Sequence, residues 1–302
     1  MLPKLTLKIL MGLLLAAQAV TAAEKATEKP PAGKPKKKDE QFMRLVRDAA
    51  ERPIGLQTAI VRYAPADPTK PGPIVDLIAA VHIGERAYYQ EINKAFESYD
   101  VVLYELVAPA GTKIPKGGGE GSGSFVSMMQ KAMKDMLQLE YQLEIVDYTR
   151  KNLVHADMSP EQFSRAMREK GESIWGIMLR MMGYAIARQA NEPEKSTDAD
   201  LLLALFDKNR ALALKRVLAE QIDDIEGSLL AIEGPDGSTL VSGRNKAAIE
   251  VLRKQVAAGK KKIAIFYGAA HMPDFQQRLR ADFGLAPTTT RWLTAWDMKG
   301  KK

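Results

Sequence analysis

One unit occurs twice in this chain, and it limits the fold more than any other feature. Near the C-terminus the stretch KKIAIFYGAAHMPDFQQRL covers residues 261–279. Ile263, Ala264, Ile265 and Phe266 form a short apolar run that reads as a buried strand. Gly268 follows, where a chain leaving a sheet often needs positive φ, and His271 comes three residues later. Pro273 suits the first turn of a helix, and Phe275, Leu279 and Phe283 continue at helical spacing. The same order appears early in the chain. Apolar Ile74–Ala80 leads to His82 and Gly84, and then Tyr88, Ile92 and Phe96 mark a helix face. The next predicted strand, Val101–Leu106, carries Glu105 inside an apolar segment. A carboxylate there is costly unless a partner compensates it.

Strand–His–helix units of this kind predict an α/β fold. We expect a central, mostly parallel sheet built from two related β/α halves, with the histidines at strand ends, where open α/β sheets place their chemistry. The 302 residues, 46% of them hydrophobic, suffice for one sizeable core. Phe42, Leu45, Val46 and Ala49 predict a short amphipathic helix, and Leu56–Tyr63 a strand. Gly111–Ser124 is a long Gly-rich loop beside the Glu105 strand, either a flap over the site or a plain surface loop. From about 125 to 230 the pattern reads as a helical insertion. Met128, Met129, Met133, Met136 and Leu137 recur at helical spacing, Ser159-Pro160-Glu161 starts a helix, and Leu201–Gln221 reads as another. Ile174–Ala190 reads as a buried or groove-lining helix. Ser242 is expected to cap a helix that stops at Gly259, and Thr288–Trp296 reads as a final strand.

The N-terminus reads as an export address. Lys4 and Lys8 precede the apolar run Ile9–Ala17, and small residues around Ala22 offer a cleavage site, so residues 1–23 are expected to be a signal peptide. An uncleaved anchor is the alternative. The destination is the periplasm or the exterior. Residues 24–40 form a Lys/Pro-rich linker, with weak contact to an anionic membrane surface as its sharper reading. The domain proper runs over 41–302. Of the formal charge of +7, the signal holds two and the linker two more. The remaining +3 is too small a surplus to argue for nucleic acid. With no cysteine, disulfides and thiolate metal sites are excluded.

Two of only three histidines thus follow strands in matching places, with a carboxylate on a neighbouring strand. His82, His271 and Glu105 would make a ligand set for a divalent ion with open positions for water. Alternatively Glu105 is the general base and the imidazoles bind metal or substrate. His155 and Asp157 add ligands from the insertion, or the Asp serves the turn that caps the Ser159 helix. Tyr267, beside Gly268, points at the site or packs in the core.

These motifs resemble the TraB/GumN/Tiki family, which groups with erythromycin-esterase-like and ChaN-like proteins. The hallmark is a pair of G-x-x-H motifs around a strand-borne Glu. Gly268-Ala269-Ala270-His271 is intact, and Ala79-Ala80-Val81-His82 has Ala in place of Gly. Glu105 matches the family's Glu, and Arg244-Asn245 match its acid-Arg-Asn segment, with Gly243 in place of the acid. The resemblance spans about residues 55–297. It implies a metal-dependent peptidase using Mn, Co or Zn, with His82, Glu105 and His271 as ligands or catalytic groups and Arg244 holding a carboxylate or an oxyanion. It also implies alternatives: a haem binder, a protein that sequesters a peptide without turnover, or a metal-independent esterase of small molecules with His82 or His271 as base.

Overall fold

A computed structural model of the chain describes residues 42–109, 111–117, 134–173, 175–180, 198–233 and 237–300. The fold is mixed α/β around a seven-stranded sheet. Its first strands are β1 (Met43–Arg47), β2 (Pro53–Pro65) and β3 (Ile74–Ala80). After the two-residue β4 (Ile83–Gly84) come helix α1 (Arg86–Phe96) and strand β5 (Val101–Tyr104). A second short strand, β6 (Glu140–Tyr141), pairs with β4 and leads through one helical turn, α2 (Gln142–Ile145), to β7 (Leu153–His155). Helices α3 (Pro160–Glu169), α4 (Asp198–Leu205) and α5 (Arg210–Glu233) follow. The chain then returns through α6 (Arg244–Ala257), β8 (Lys262–Gly268), α7 (Met272–Phe283) and β9 (Leu285–Asp297).

Strands β3, β8, β5 and β7 lie side by side and parallel, while β1 and β9 run antiparallel to β2, which joins them to β3. The parallel strands are mostly apolar runs, interrupted in β3 by Asp76, because both faces are covered. Leu77, Ile78, Val102, Leu103, Ile263 and Ile265 have no exposed surface. Helix α1 turns Tyr88, Ile92 and Phe96 inward, the stripe that the spacing predicted, and buries Tyr89 beside them. Gly259 and Gly284 end α6 and α7 at φ of 81° and 64°, where a side chain would be strained.

Several elements differ from the pattern. The helix expected over 42–49 is strand β1, paired residue by residue with β2. Helical spacing over seven residues is a weak preference, and ladder bonds to a long neighbouring strand override it. The stretch expected to be helical contains β7, a full member of the parallel sheet. Three residues are too few to show a period. Leu201–Gln221 is two helices, broken at Asp207, whose carboxylate accepts the Asn209 N–H at 2.7 Å. The α6 start is Arg244, and it is Ser238 that caps the preceding turn. Of the Ile174–Ala190 segment only 175–180 is described. Its Ile177 packs on Phe163 and Met167, while Trp175 and Leu179 are exposed. Residues 1–23, the linker, Met128, Met129, Met133 and most of the Gly-rich loop lie outside the described residues. No helix among the described residues is long and apolar enough to cross a membrane.

One buried charge belongs to the sheet itself. Asp76 of β3 is 2% exposed, takes a two-armed bond from Arg62 of β2 and accepts the Tyr99 hydroxyl at 2.7 Å. Asp76→Ala should cost about 1–3 kcal/mol, chiefly by stranding the Tyr99 hydroxyl, because half-exposed Arg62 can turn to water. Urea unfolding of the variant checks this.

Candidate functional site

The four parallel strands end at one edge, and each delivers a polar group there. Beyond β3 comes His82, beyond β5 Glu105, beyond β7 Asp157, and β8 closes on Gly268 with His271 in the following 3₁₀ turn. Helix α6 points its first two residues, Arg244 and Asn245, at the same edge. This is the carboxyl end of the strands, where the backbone must turn and side chains from several strands meet.

Glu105 is the hub. Its side chain is 10% exposed, and both oxygens are engaged. Oε1 accepts Arg244 Nη2 at 2.8 Å, and Oε2 accepts the Gly268 N–H at 2.7 Å. The closest observation of convergence is made at Gly268. A β-carbon added there would stand 3.4 Å from Glu105 Oε2, 3.7 Å from His82 Nε2 and 3.8 Å from His271 Cδ2. Burial pushes the Glu105 carboxyl up, but the Arg244 guanidinium, the His271 and His82 rings and the Gly268 N–H together hold it below the usual carboxylate range.

Arg244 is shared. Nε and Nη2 donate to Asp157 at 3.0 and 2.5 Å, and the Asp157 side chain has no exposed surface. Burial alone would lower the Arg244 guanidinium, and the two carboxylates overcome it and raise it. The carboxylate on Arg244 thus arrives from the end of β7, and Gly243 costs the arginine no partner.

His271 is buried, with Nδ1 2.6 Å from Asn245 Oδ1. Its Nε2 lies 3.6 Å from Glu105 Oε1. Burial pushes the imidazole down to about 4, against the opposing pull of Glu105. His82 is exposed at the rim.

Of the residues singled out from sequence, the structure brings together His82, Glu105, His271, Gly268, Arg244, Asn245 and Asp157. Tyr267 lies in the core. Its hydroxyl donates to the Ala156 carbonyl at 2.5 Å and its ring stands 5.2 Å from that of His271. His155 turns away from the cluster. Its Nε2 meets the Leu106 carbonyl oxygen at 2.5 Å and its ring packs against Tyr104. Asp274 was missed, because it sits in the first turn of α7 where an acid is ordinary. Ala79 in the first motif pairs with Tyr267, and it is Ala80 that pairs with Gly268, so position 79 is not the counterpart of the close-packed glycine.

As ligands for a divalent ion the two imidazoles are suitable nitrogen donors. The Glu105 carboxylate already accepts one hydrogen bond on each oxygen, from Arg244 and from the Gly268 N–H, and each oxygen keeps a lone pair. Among the described residues no three His, Asp or Glu side chains are grouped to hold a metal ion. Compared with family models, curated proteins and solved structures, the chain finds no match.

Two outcomes test this geometry. Arg244→Ala leaves Glu105 and Asp157 buried without their cation and should cost about 3–5 kcal/mol in urea unfolding. Folded His271 stays neutral down to about pH 4, whereas the unfolded ring takes a proton below its ordinary value of 6.5. The unfolded state therefore binds more protons in that window, and stability should fall as pH drops from 6.5 toward 4. Denaturation midpoints between pH 6.5 and 5, in wild type and His271→Gln, should show a loss that the variant lacks.

Proposed function

We propose that this chain is an exported hydrolase of acyl bonds, with peptide bonds as the first substrate class, and that its water is activated by His271. One observation carries this reading: two imidazoles, a carboxylate and a guanidinium from distant parts of the chain face one edge. The likeness of Gly268–His271, Glu105 and Arg244 to the TraB/GumN/Tiki motifs supports it, and export rests on the composition of residues 1–23.

Among the described residues none hydrogen-bonds His271 Nε2, which can accept a proton from a water as the oxygen attacks the acyl carbon. An imidazole pushed down to about 4 is unprotonated at neutral pH but a weak base. Glu105 offsets this weakness, since its negative charge stabilises the imidazolium as it forms. Among the described residues none takes Arg244 Nη1, which leaves a charged donor for the developing oxyanion. His271 then returns that proton to the leaving amine or alcohol as its bond to the acyl carbon breaks, and exposed His82 stands at the rim where the substrate enters.

The test is hydrolysis of peptide and ester panels by the mature protein, after EDTA and then with Mn, Co or Zn restored. Turnover should survive EDTA, and His271→Ala should lower kcat by roughly 10²–10⁴-fold. Turnover found only with an added ion would replace this route with a metal-dependent one. An inert protein under every condition, or an unaffected His271→Ala, would remove the enzyme reading.

A further inference from the structure

Asn245 has no exposed surface, and its amide can sit in only one orientation. Nδ2 meets two acceptors, the His271 carbonyl oxygen at 2.9 Å and Asp274 Oδ2 at 2.8 Å. Neither can donate, so that end must be the NH₂ group. Asp274 is itself held, accepting Arg278 Nε at 2.7 Å on the same oxygen. Arg278 in turn reaches the Ser242 carbonyl oxygen at 3.4 Å, which ties α7 to the turn ahead of α6. The orientation of the amide is therefore fixed by an acidic side chain and a main-chain carbonyl, without reference to the imidazole.

The consequence falls on the ring. With NH₂ assigned, the atom 2.6 Å from His271 Nδ1 is the amide oxygen, an acceptor only. A neutral imidazole must then carry its proton on Nδ1 and leave the lone pair on Nε2. The opposite tautomer has an evident competitor, because Nε2 faces the Glu105 carboxylate at 3.6 Å and an N–H there would be attracted to it. Such a ring would show Glu105 a donor and offer no base. Which tautomer wins is thus a contest between Asn245 and Glu105.

We infer that Asn245, seated by Asp274, is a positioning residue that selects the Nδ1–H tautomer of His271 and keeps Nε2 open toward the site. The use of that lone pair in turnover rests on the hydrolase reading, whereas the tautomer itself does not. Asp274 acts at one further remove, and its loss leaves Asn245 with the His271 carbonyl alone.

Ring ¹H–¹⁵N correlation spectra of the uniformly labelled chain at neutral pH decide the matter without any substrate. There are only three histidines, and a His271→Gln sample assigns the signal. Wild type should show Nδ1 protonated and Nε2 bare. Asn245→Leu should move the ratio toward Nε2–H by roughly tenfold, the equilibrium worth of one hydrogen bond. Asp274→Ala, which keeps Asn245 and its carbonyl anchor, should move it the same way by less. A wild-type ring protonated on Nε2 overturns the inference outright, as does an unmoved ratio in a folded variant. Normal tautomer behaviour in a protein inert toward every acyl substrate would uphold the selection and sink only the hydrolase.

Discussion

The ionised carboxylate of Glu105 is the constraint from which the site follows. A lone carboxylate in that position would take up a proton, because burial penalises its charge. It stays ionised through groups on three separate elements: the guanidinium on α6, the main-chain N–H at the end of β8, and imidazoles beyond β3 and β8. Loss of the guanidinium would strand a buried charge. The ion pair of Glu105 with Arg244 thus fixes how α6 approaches the sheet. A main-chain N–H can donate at 2.7 Å only where the backbone comes close, and a β-carbon at Gly268 would already touch the carboxylate and both rings.

Asp157 extends the constraint to β7. It shares Arg244 with Glu105, so the shortest strand of the sheet is held at the correct height by an ion pair as well as by its ladder. Three residues of backbone pairing specify register weakly, and a buried charge that must reach its partner specifies it strongly. The Tyr267 hydroxyl on the Ala156 carbonyl adds a second tie across the same gap.

The parts of this arrangement that were legible in the sequence are those with a period or a contradiction. Ile74–Ala80 reads as a strand to the residue because a doubly covered parallel strand is a nearly continuous apolar run, broken here at Asp76. Glu105 is conspicuous because it breaks such a run. His82 and His271 stand out by recurring after matched runs. What stayed hidden lacks either mark. β1 carries apolar residues at a spacing that suits a helix, and only its neighbour makes it a strand. β7 is too short to have a pattern, so Asp157 at its end looked like part of a helix start. Asp274 is invisible for the opposite reason. An acid after a helix-starting proline is so ordinary that nothing in the sequence asks what lies behind it, and its meaning comes entirely from Asn245 across the interface.

The charges at the site do not cancel. Glu105 and Asp157 contribute two negative charges and Arg244 one positive, so with both imidazoles neutral the cluster carries one uncompensated negative charge in a largely buried setting. Coulomb energies are strong there, and the deficit favours any step that brings a positive charge in. Protonation of His271 is such a step. Burial resists it while the ring is idle, and in the hydrolysis we propose the residual negative charge favours it as the attacking water gives up its proton and an oxyanion forms near Arg244. The neutral resting ring and the negative surroundings therefore work in sequence. On the proposed hydrolase reading, burial keeps the lone pair free before the reaction and Glu105 stabilises the charge that the reaction would create.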